Sequence, residues 1–270
     1  MLLANGRISD RSYPRYRFMR PLLRRVLRHY DRILAREELD RERFIAIGAP
    51  ASVVETTGNV KFDYQLDESP LAFDLQSLAA NRPVFVLGST IEGEDEVLLP
   101  ELEKLENVFI VIAPRKPERF EVVAALLATT KLRAVRRSVI PSASSGRQDS
   151  DVLLLDSIGE LARIYKLATV AFVGGSLVNA GGHNPIEPAA AGVPVCFGKS
   201  MSNFREIASV FLRNHAAEEV SDAGDVIAFA RRMIANDAER RAMGERALKT
   251  VAENRGASER TARRIVELLS

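Results

Sequence analysis

The sequence predicts an α/β protein whose larger part is a doubly wound, Rossmann-like parallel sheet, preceded by a shorter segment rich in basic helix. Three observations carry this. From residue 83 onward short apolar runs alternate with helical patterns, the arrangement that builds a parallel sheet with helices on both faces. Residues 169–198, TVAFVGGSLVNAGGHNPIEPAAAGVPVCFG, read as one strand, loop, helix, strand unit. Between Arg11 and Arg36, nine arginines stand against a single acid, Asp31.

Composition narrows the class further. A chain of 270 residues with 46% hydrophobic content can bury one large core or two modest ones, and it is not the composition of a disordered protein. The single cysteine, Cys196, excludes an internal disulfide and sits in an apolar run, which suits a buried thiol in a reducing compartment. Three widely separated histidines make no metal motif, so no metal site is expected. No apolar run is long enough to span a bilayer, and residues 1–4 are too short for a signal peptide. Contact with a membrane would have to be lateral.

Taken in order, the chain opens with the end of a strand and a loop. Leu22, Leu23, Val26, Leu27, Ile33 and Leu34 then recur at near-helical spacing between arginines, which predicts an amphipathic basic helix or helix pair. Such a face can meet anionic head groups or acceptor phosphates, and it can equally be a solvated face packed on a neighbouring domain. No nucleic-acid motif accompanies the charge, so nucleic acid is not an expected partner. A helix follows over 37–47, ended by Gly48, then a short strand over 52–56 and the segment Gly58-Asn59-Val60-Lys61-Phe62-Asp63. Residues 67–82 read as a linker.

The regular part begins at 83, with strands over 84–87, 108–113, 132–136 and 151–155 and helices over 94–105 and 118–128. Residues 141–150 have the composition of a loop, and Asp156 or Ser157 is placed to cap a helix with Glu160 in its first turn. Ligands of such sheets bind beyond the carboxyl ends of the strands, so the residues just after each apolar run matter most. Pro114 and Arg115 stand at one such end, where a guanidinium can grip a phosphate or carboxylate bidentately.

In the 169–198 unit, strand 170–173 leads into a loop carrying Gly174, Gly175, Ser176, Gly181 and Gly182, whose backbone N–H groups can approach an anion. Asn184 is the expected N-cap, Pro185 the first helical residue, Ile186 and Glu187 complete the turn, and Gly192 closes the helix before a strand over 193–197. Glu187 suits a carboxylate accepting from ribose hydroxyls. Taken alone, the loop matches neither the dinucleotide nor the P-loop spacing, and a tight turn with Glu187 complementing the helix dipole is the simpler reading. Helices over 203–212, 223–235, 238–254 and 258–269 and a strand over 217–220 complete the chain, with His183 and His215 as ordinary polar residues.

GGSLVNAGGHNPIEPAAAGVPVCFG, followed by NFREI at 203–207, resembles the donor-site signature of the 3-deoxy-D-manno-octulosonic acid (Kdo) transferases. That family has the GT-B fold and moves Kdo from CMP-Kdo to a lipid A precursor. GSTIEGED at 88–95 resembles the family's GSTHEGEE, with Ile91 for histidine, and PRKPERF at 114–120 resembles PRHPERF, with Lys116 for histidine. The resemblance implies a donor-binding domain over 69–270 and the tail of an acceptor-binding domain over 1–68. It implies that Lys61 stabilises the departing nucleotide phosphate and that Ile158, Gly159 and Glu160, in a segment similar to the family's D-T-x-G-E-L, contact the cytidine. CMP-Kdo is then the donor and no cofactor is needed. Implied too are a lipid A precursor as acceptor and a peripheral place on the cytoplasmic side of the bacterial inner membrane, reached through the basic helix. The family's general base lies in a preceding segment, so the resemblance implies a transferase that is incomplete alone: a fragment, a truncated reading frame, or one part of a two-chain enzyme whose other chain is a separate acceptor domain. Two alternatives stand beside it: a non-catalytic nucleotide-binding module that acts through a partner chain, and a GT-B enzyme using another sugar nucleotide.

Overall fold

A seven-stranded, all-parallel sheet organises the computed structural model, which describes residues 1–141 and 149–269. The chain forms two compact units, Met1–Tyr64 with Val251–Ser270, and Gln65–Thr250. This differs from the expected division at 68/69, because the last twenty residues return to the first unit.

The first unit contains β1 (Leu2–Gly6), α1 (Tyr13–Phe18), α2 (Arg20–Leu27), β2 (Arg32–Ala35), α3 (Glu38–Ala46) and β3 (Val54–Thr56), with the strands parallel in the order β1-β2-β3. Its core gathers Ile8, Leu27, Ile33, Phe44, Ile47 and Val54. Ile33 and Leu34, expected on the basic helix, instead form the fully buried β2. Three apolar residues, Ile33, Leu34 and Ala35, buried in a strand carry no period that separates them from a helical stripe. The helix pair itself is present, and Phe18, Leu22 and Val26 face outward beside its arginines.

The second unit begins with α4 (Leu75–Ala79), a short helix inside the expected linker, where the Asp74 carboxylate caps the Ser77 N–H and Leu75 and Leu78 are buried. It continues with β4 (Val84–Thr90), α5 (Asp95–Leu102), β5 (Phe109–Pro114), α6 (Phe120–Leu127), β6 (Ala134–Arg136), β7 (Val152–Leu154), α7 (Leu161–Tyr165) and β8 (Val170–Val173). After these come α8 (Ile186–Ala190), β9 (Val195–Gly198), α9 (Arg205–Arg213), β10 (Ala217–Val220), α10 (Ala223–Ala235) and α11 (Asp237–Asn254). The loop expected over 141–150 lies mostly outside the described residues.

Strand order is β10-β9-β8-β4-β5-β7-β6. Alternate residues feed two cores. Phe85, Leu87, Ile110, Ile112 and Phe172 pack on one face with α5, α6 and α10, while Val84, Val86, Phe109, Val111 and Ala171 pack on the other with α4 and α7. Each fully buried Phe, Leu or Ile contributes on the order of 2 kcal/mol. Cys196 is fully buried in β9, and burial pushes its thiol well above the ordinary range.

The final helix, α12 (Ala257–Leu269), belongs to the first unit. Asp63 caps it by accepting the Gly256 and Ser258 N–H groups, both at 2.6 Å. Of Lys61, Phe62 and Asp63, Phe62 is buried, Asp63 half-buried and Lys61 exposed.

Candidate active site

The order of the seven strands contains one reversal. From β4 the chain moves outward through β5 to the edge strand β6, steps back to β7, then returns to place β8 on the other side of β4. A crevice opens at the carboxyl ends of strands where such a reversal occurs. There the second unit has a cavity of about 900 Å³, lined by Thr90, Ile91 and Glu92 after β4, Arg115, Lys116 and Arg119 after β5, and Val178, Asn179, Ala180 and His183 after β8. Ser89 adopts a left-handed φ of 58°, and the register of β4 against β5 shifts between Gly88 and Thr90. This bulge turns the chain after Gly88 toward the cavity at a backbone cost of about 1 kcal/mol.

The cavity lining carries three cations and one exposed acid, Glu92. Arg119 is engaged by Asp95 at 2.9 Å and Glu96 at 2.7 Å. Arg115 and Lys116 are exposed and, among the described residues, make no ion pair. Pro114 ends β5 in register with Thr90, and the Arg115 N–H donates to the Thr90 carbonyl at 2.8 Å, which fixes the backbone from which the guanidinium projects. Burial, reinforced by the Arg115 charge, lowers the His183 pKa, so the imidazole is neutral near pH 7. Burial lifts the Glu187 carboxyl above its usual range, while Asn184 and Arg115 pull it back. The Arg115 charge is thus felt by both His183 and Glu187. His183, read from the sequence as an ordinary polar residue, lines the cavity.

The glycine loop departs from the expectation of an open anion cradle. The Gly175 N–H donates to Glu94 Oε2 at 2.6 Å, and the Ser176 and Leu177 N–H groups donate to Oε1 at 2.8 and 2.9 Å. The Gly174 N–H is taken by the Gly88 carbonyl, that of Gly182 by the Gly175 carbonyl, and that of Gly181 by Ser200 Oγ. The anion these donors need is built into the protein. Gly174, Gly175 and Ser176 therefore shape the wall and offer no N–H to a ligand. A Cβ on Gly174 would lie 2.5 Å from the Ser89 carbonyl oxygen, so this position accepts only glycine. Glu94 is fully buried, and it also accepts the Ile91 N–H at 3.2 Å. Sequence reasoning passed over it, since the run EGED resembles an exposed acidic turn.

The helix after the loop starts one residue later than expected. Pro185 is the N-cap of α8, and Asn184 Oδ1 accepts the Ile186 N–H at 3.2 Å while its amide donates to Glu187 at 3.2 Å. Asn184 therefore holds both the helix start and the Glu187 carboxyl. With five residues, α8 adds only a weak dipole, and the charge at this end is mainly that of Arg115.

Ile158, Gly159 and Glu160 are not part of the cavity lining. Glu160 occupies the N-cap of α7, but its carboxylate is held by Arg137 at 3.1 Å and by the Ser157 hydroxyl, and makes no capping bond. Asp156, expected as a cap, instead accepts the Ser138 N–H at 2.8 Å and pairs with Arg136 at 2.7 Å. These ion pairs won over the local cap. Ile158 is 72% exposed beside Gly159, whose φ is 89°. Lys61 lies in the first unit, exposed, within a 3₁₀ turn over Val60–Asp63 capped by Asn59, whose side chain accepts the Lys61 N–H at 3.1 Å.

Residues 1–64 match the family described as 3-deoxy-D-manno-octulosonic-acid transferase (kdotransferase). The crystal structure of the C-terminal CMP-Kdo binding domain of WaaA from Acinetobacter baumannii is 32% identical, with a TM-score of 0.60, over 65% of this chain and 92% of that domain. The chain belongs to the Kdo transferase family. Within that family, the 3-deoxy-D-manno-octulosonic acid transferases of Haemophilus influenzae and Bordetella pertussis are 36% and 37% identical over 96% and 97% of this chain. The chain spans 62% of the length of each. The fold alone extends further, to Anabaena HepE, with a TM-score of 0.58 at 10% identity over the whole chain. The α/β, Rossmann-like architecture expected from the sequence is thus of the GT-B type.

Proposed function

We propose that this chain carries the donor-binding part of an enzyme of lipopolysaccharide biosynthesis that transfers Kdo from CMP-Kdo to a lipid A precursor. The carrying observation is the cavity at the strand reversal, with two cations unpaired among the described residues, in a chain that covers 92% of a CMP-Kdo binding domain. In this reading the Arg115 fork takes the phosphate or carboxylate of the donor and Lys116 adds a second charge. Glu187, steadied by Asn184, accepts from the ribose hydroxyls, and the backbone of Ile158 to Glu160 contacts the cytosine ring. The acceptor hydroxyl attacks the anomeric carbon of Kdo, its proton passes to a base, and the bond from that carbon to the CMP phosphate oxygen breaks. Lys61 offsets the charge gathering on the departing phosphate. No cofactor beyond the donor enters this reaction.

The face formed by Phe18, Leu22 and Val26 with Arg15, Arg17, Arg25 and Arg28 supports a peripheral seat on the cytoplasmic side of the inner membrane, by apolar insertion and attraction to anionic lipid. Among the described residues no helix is long and apolar enough to cross a membrane.

Calorimetric titration with CMP tests the donor assignment. Arg115→Ala and Glu187→Ala should each weaken binding by about tenfold, the loss of one charge-assisted contact. A folded chain that does not bind CMP would refute it.

A further inference from the structure

A second cavity, of about 630 Å³, opens where the loop after β9 meets α9 and the end of β10. Its lining carries Lys199, Arg205 and Arg213 against one acid, Glu219. Lys199 and Arg213 are exposed and, among the described residues, make no ion pair. Arg213 ends α9, where a cation complements the helix dipole, and this alone would account for it. Lys199 belongs to no helix, so no dipole accounts for it. Lys199 and Arg213, two exposed like charges at one hollow, repel one another, and an anion seated between them relieves that repulsion.

The wall that carries Lys199 is firmly placed. The Gly198 N–H donates to Ser176 Oγ at 2.8 Å, the Ser200 N–H to the Ser176 carbonyl at 2.9 Å, and the Gly181 N–H to Ser200 Oγ at 2.9 Å. Lys199 therefore projects from between two residues fastened to the glycine loop. Asn179, on that loop, lines both this cavity and the one at Arg115, so the two adjoin.

We propose that this second cavity is an anion subsite that receives a phosphate monoester of the acceptor while the Arg115 cavity holds the donor. The proposal rests on the donor reading above, which places the donor's phosphate or carboxylate at Arg115 with the Lys116 charge beside it. An adjoining cationic hollow, reached past Asn179, is then matched to an anionic group of the second substrate. The subsite orients that substrate and takes no part in bond making.

Inorganic phosphate titrated into the ¹⁵N-labelled full chain, alone and with CMP present, tests this. Amide shifts should concentrate in residues 199–213 and persist in saturating CMP. The Lys199→Ala/Arg213→Ala double variant should weaken phosphate by about tenfold or more and leave CMP affinity within about twofold, as for two charge-assisted contacts at an exposed site. Glu219→Gln, which removes the opposing charge, should tighten phosphate. Shifts confined to residues 115 and 116, or a phosphate affinity indifferent to all three substitutions, would overturn the subsite. Loss of CMP binding alone would instead overturn the donor reading, since the phosphate titration without CMP still decides the subsite.

Discussion

Replacing Glu94 with glutamine tests the claim that an internal carboxylate holds the glycine loop. Oε2 takes the Gly175 and Ile91 N–H groups, and Oε1 takes those of Ser176 and Leu177. Glutamine has one acceptor oxygen, so either amide orientation turns an NH₂ group toward two N–H donors. Each buried donor left unpaired costs about 1–3 kcal/mol, which gives about 2–6 kcal/mol for the pair. In a domain of this size that corresponds to a melting point lower by roughly 5–20 °C. Thermal unfolding by circular dichroism at pH 7 reads this directly, and the CMP titration reports whether the loosened loop also disturbs the cavity. A Glu94→Gln variant that melts within about 2 °C of the parent would refute the role, because intact donors cannot lose their common acceptor without cost.

Three further outcomes follow from named contacts. Hydrogen bonds from Arg133, with the nearby Arg82 charge, hold the Asp151 pKa at about 2. A depressed carboxyl stabilises fully above its unfolded value near 3.8 and loses that contribution as pH falls through about 2, so about 2 kcal/mol should vanish between about pH 4 and 2. Asp151→Asn should flatten this stretch of a urea-midpoint profile, and an unchanged profile would contradict the pairing. Arg115→Ala should raise the titration midpoints of both His183 and Glu187, followed by NMR, because the guanidinium lowers each; fixed midpoints would place Arg115 elsewhere. Gly174→Ala puts a Cβ 2.5 Å from backbone and should cost about 1–3 kcal/mol, whereas Gly224→Ala, which meets only the Asp222 carboxylate at 3.1 Å, should cost less in the same denaturation assay.

What the sequence made legible is uneven, for physical reasons. Residues 170–173, 217–220 and 223–235 were bounded correctly because local signals agree there: an apolar run ending in glycine, and Asp222 capping α10 through the Asp225 N–H at 2.9 Å. Arg115 could be singled out because it directly follows an apolar run at a strand end. Glu94 could not, since its partners lie 81 to 83 residues further along and the bond that defines it exists only once β4 and β8 are neighbours. Ile33 and Leu34 failed for the reverse reason, a helical spacing that tertiary burial overrode. The return of 251–270 to the first unit is equally non-local, resting on Asp63 and on Arg264 paired with Glu55 at 2.7 Å.

That last arrangement sets a timetable for synthesis. Asp63 waits 193 residues for Gly256, so during translation the three-stranded sheet emerges before the larger unit and is completed after it. The larger unit, sequential from 65 to 250, can close behind the ribosome while the earlier one is still open. Pulse-labelled hydrogen exchange should then find β4 protected before β2. A nascent chain stalled before α12 would carry its basic, apolar-studded helices on an unfinished scaffold.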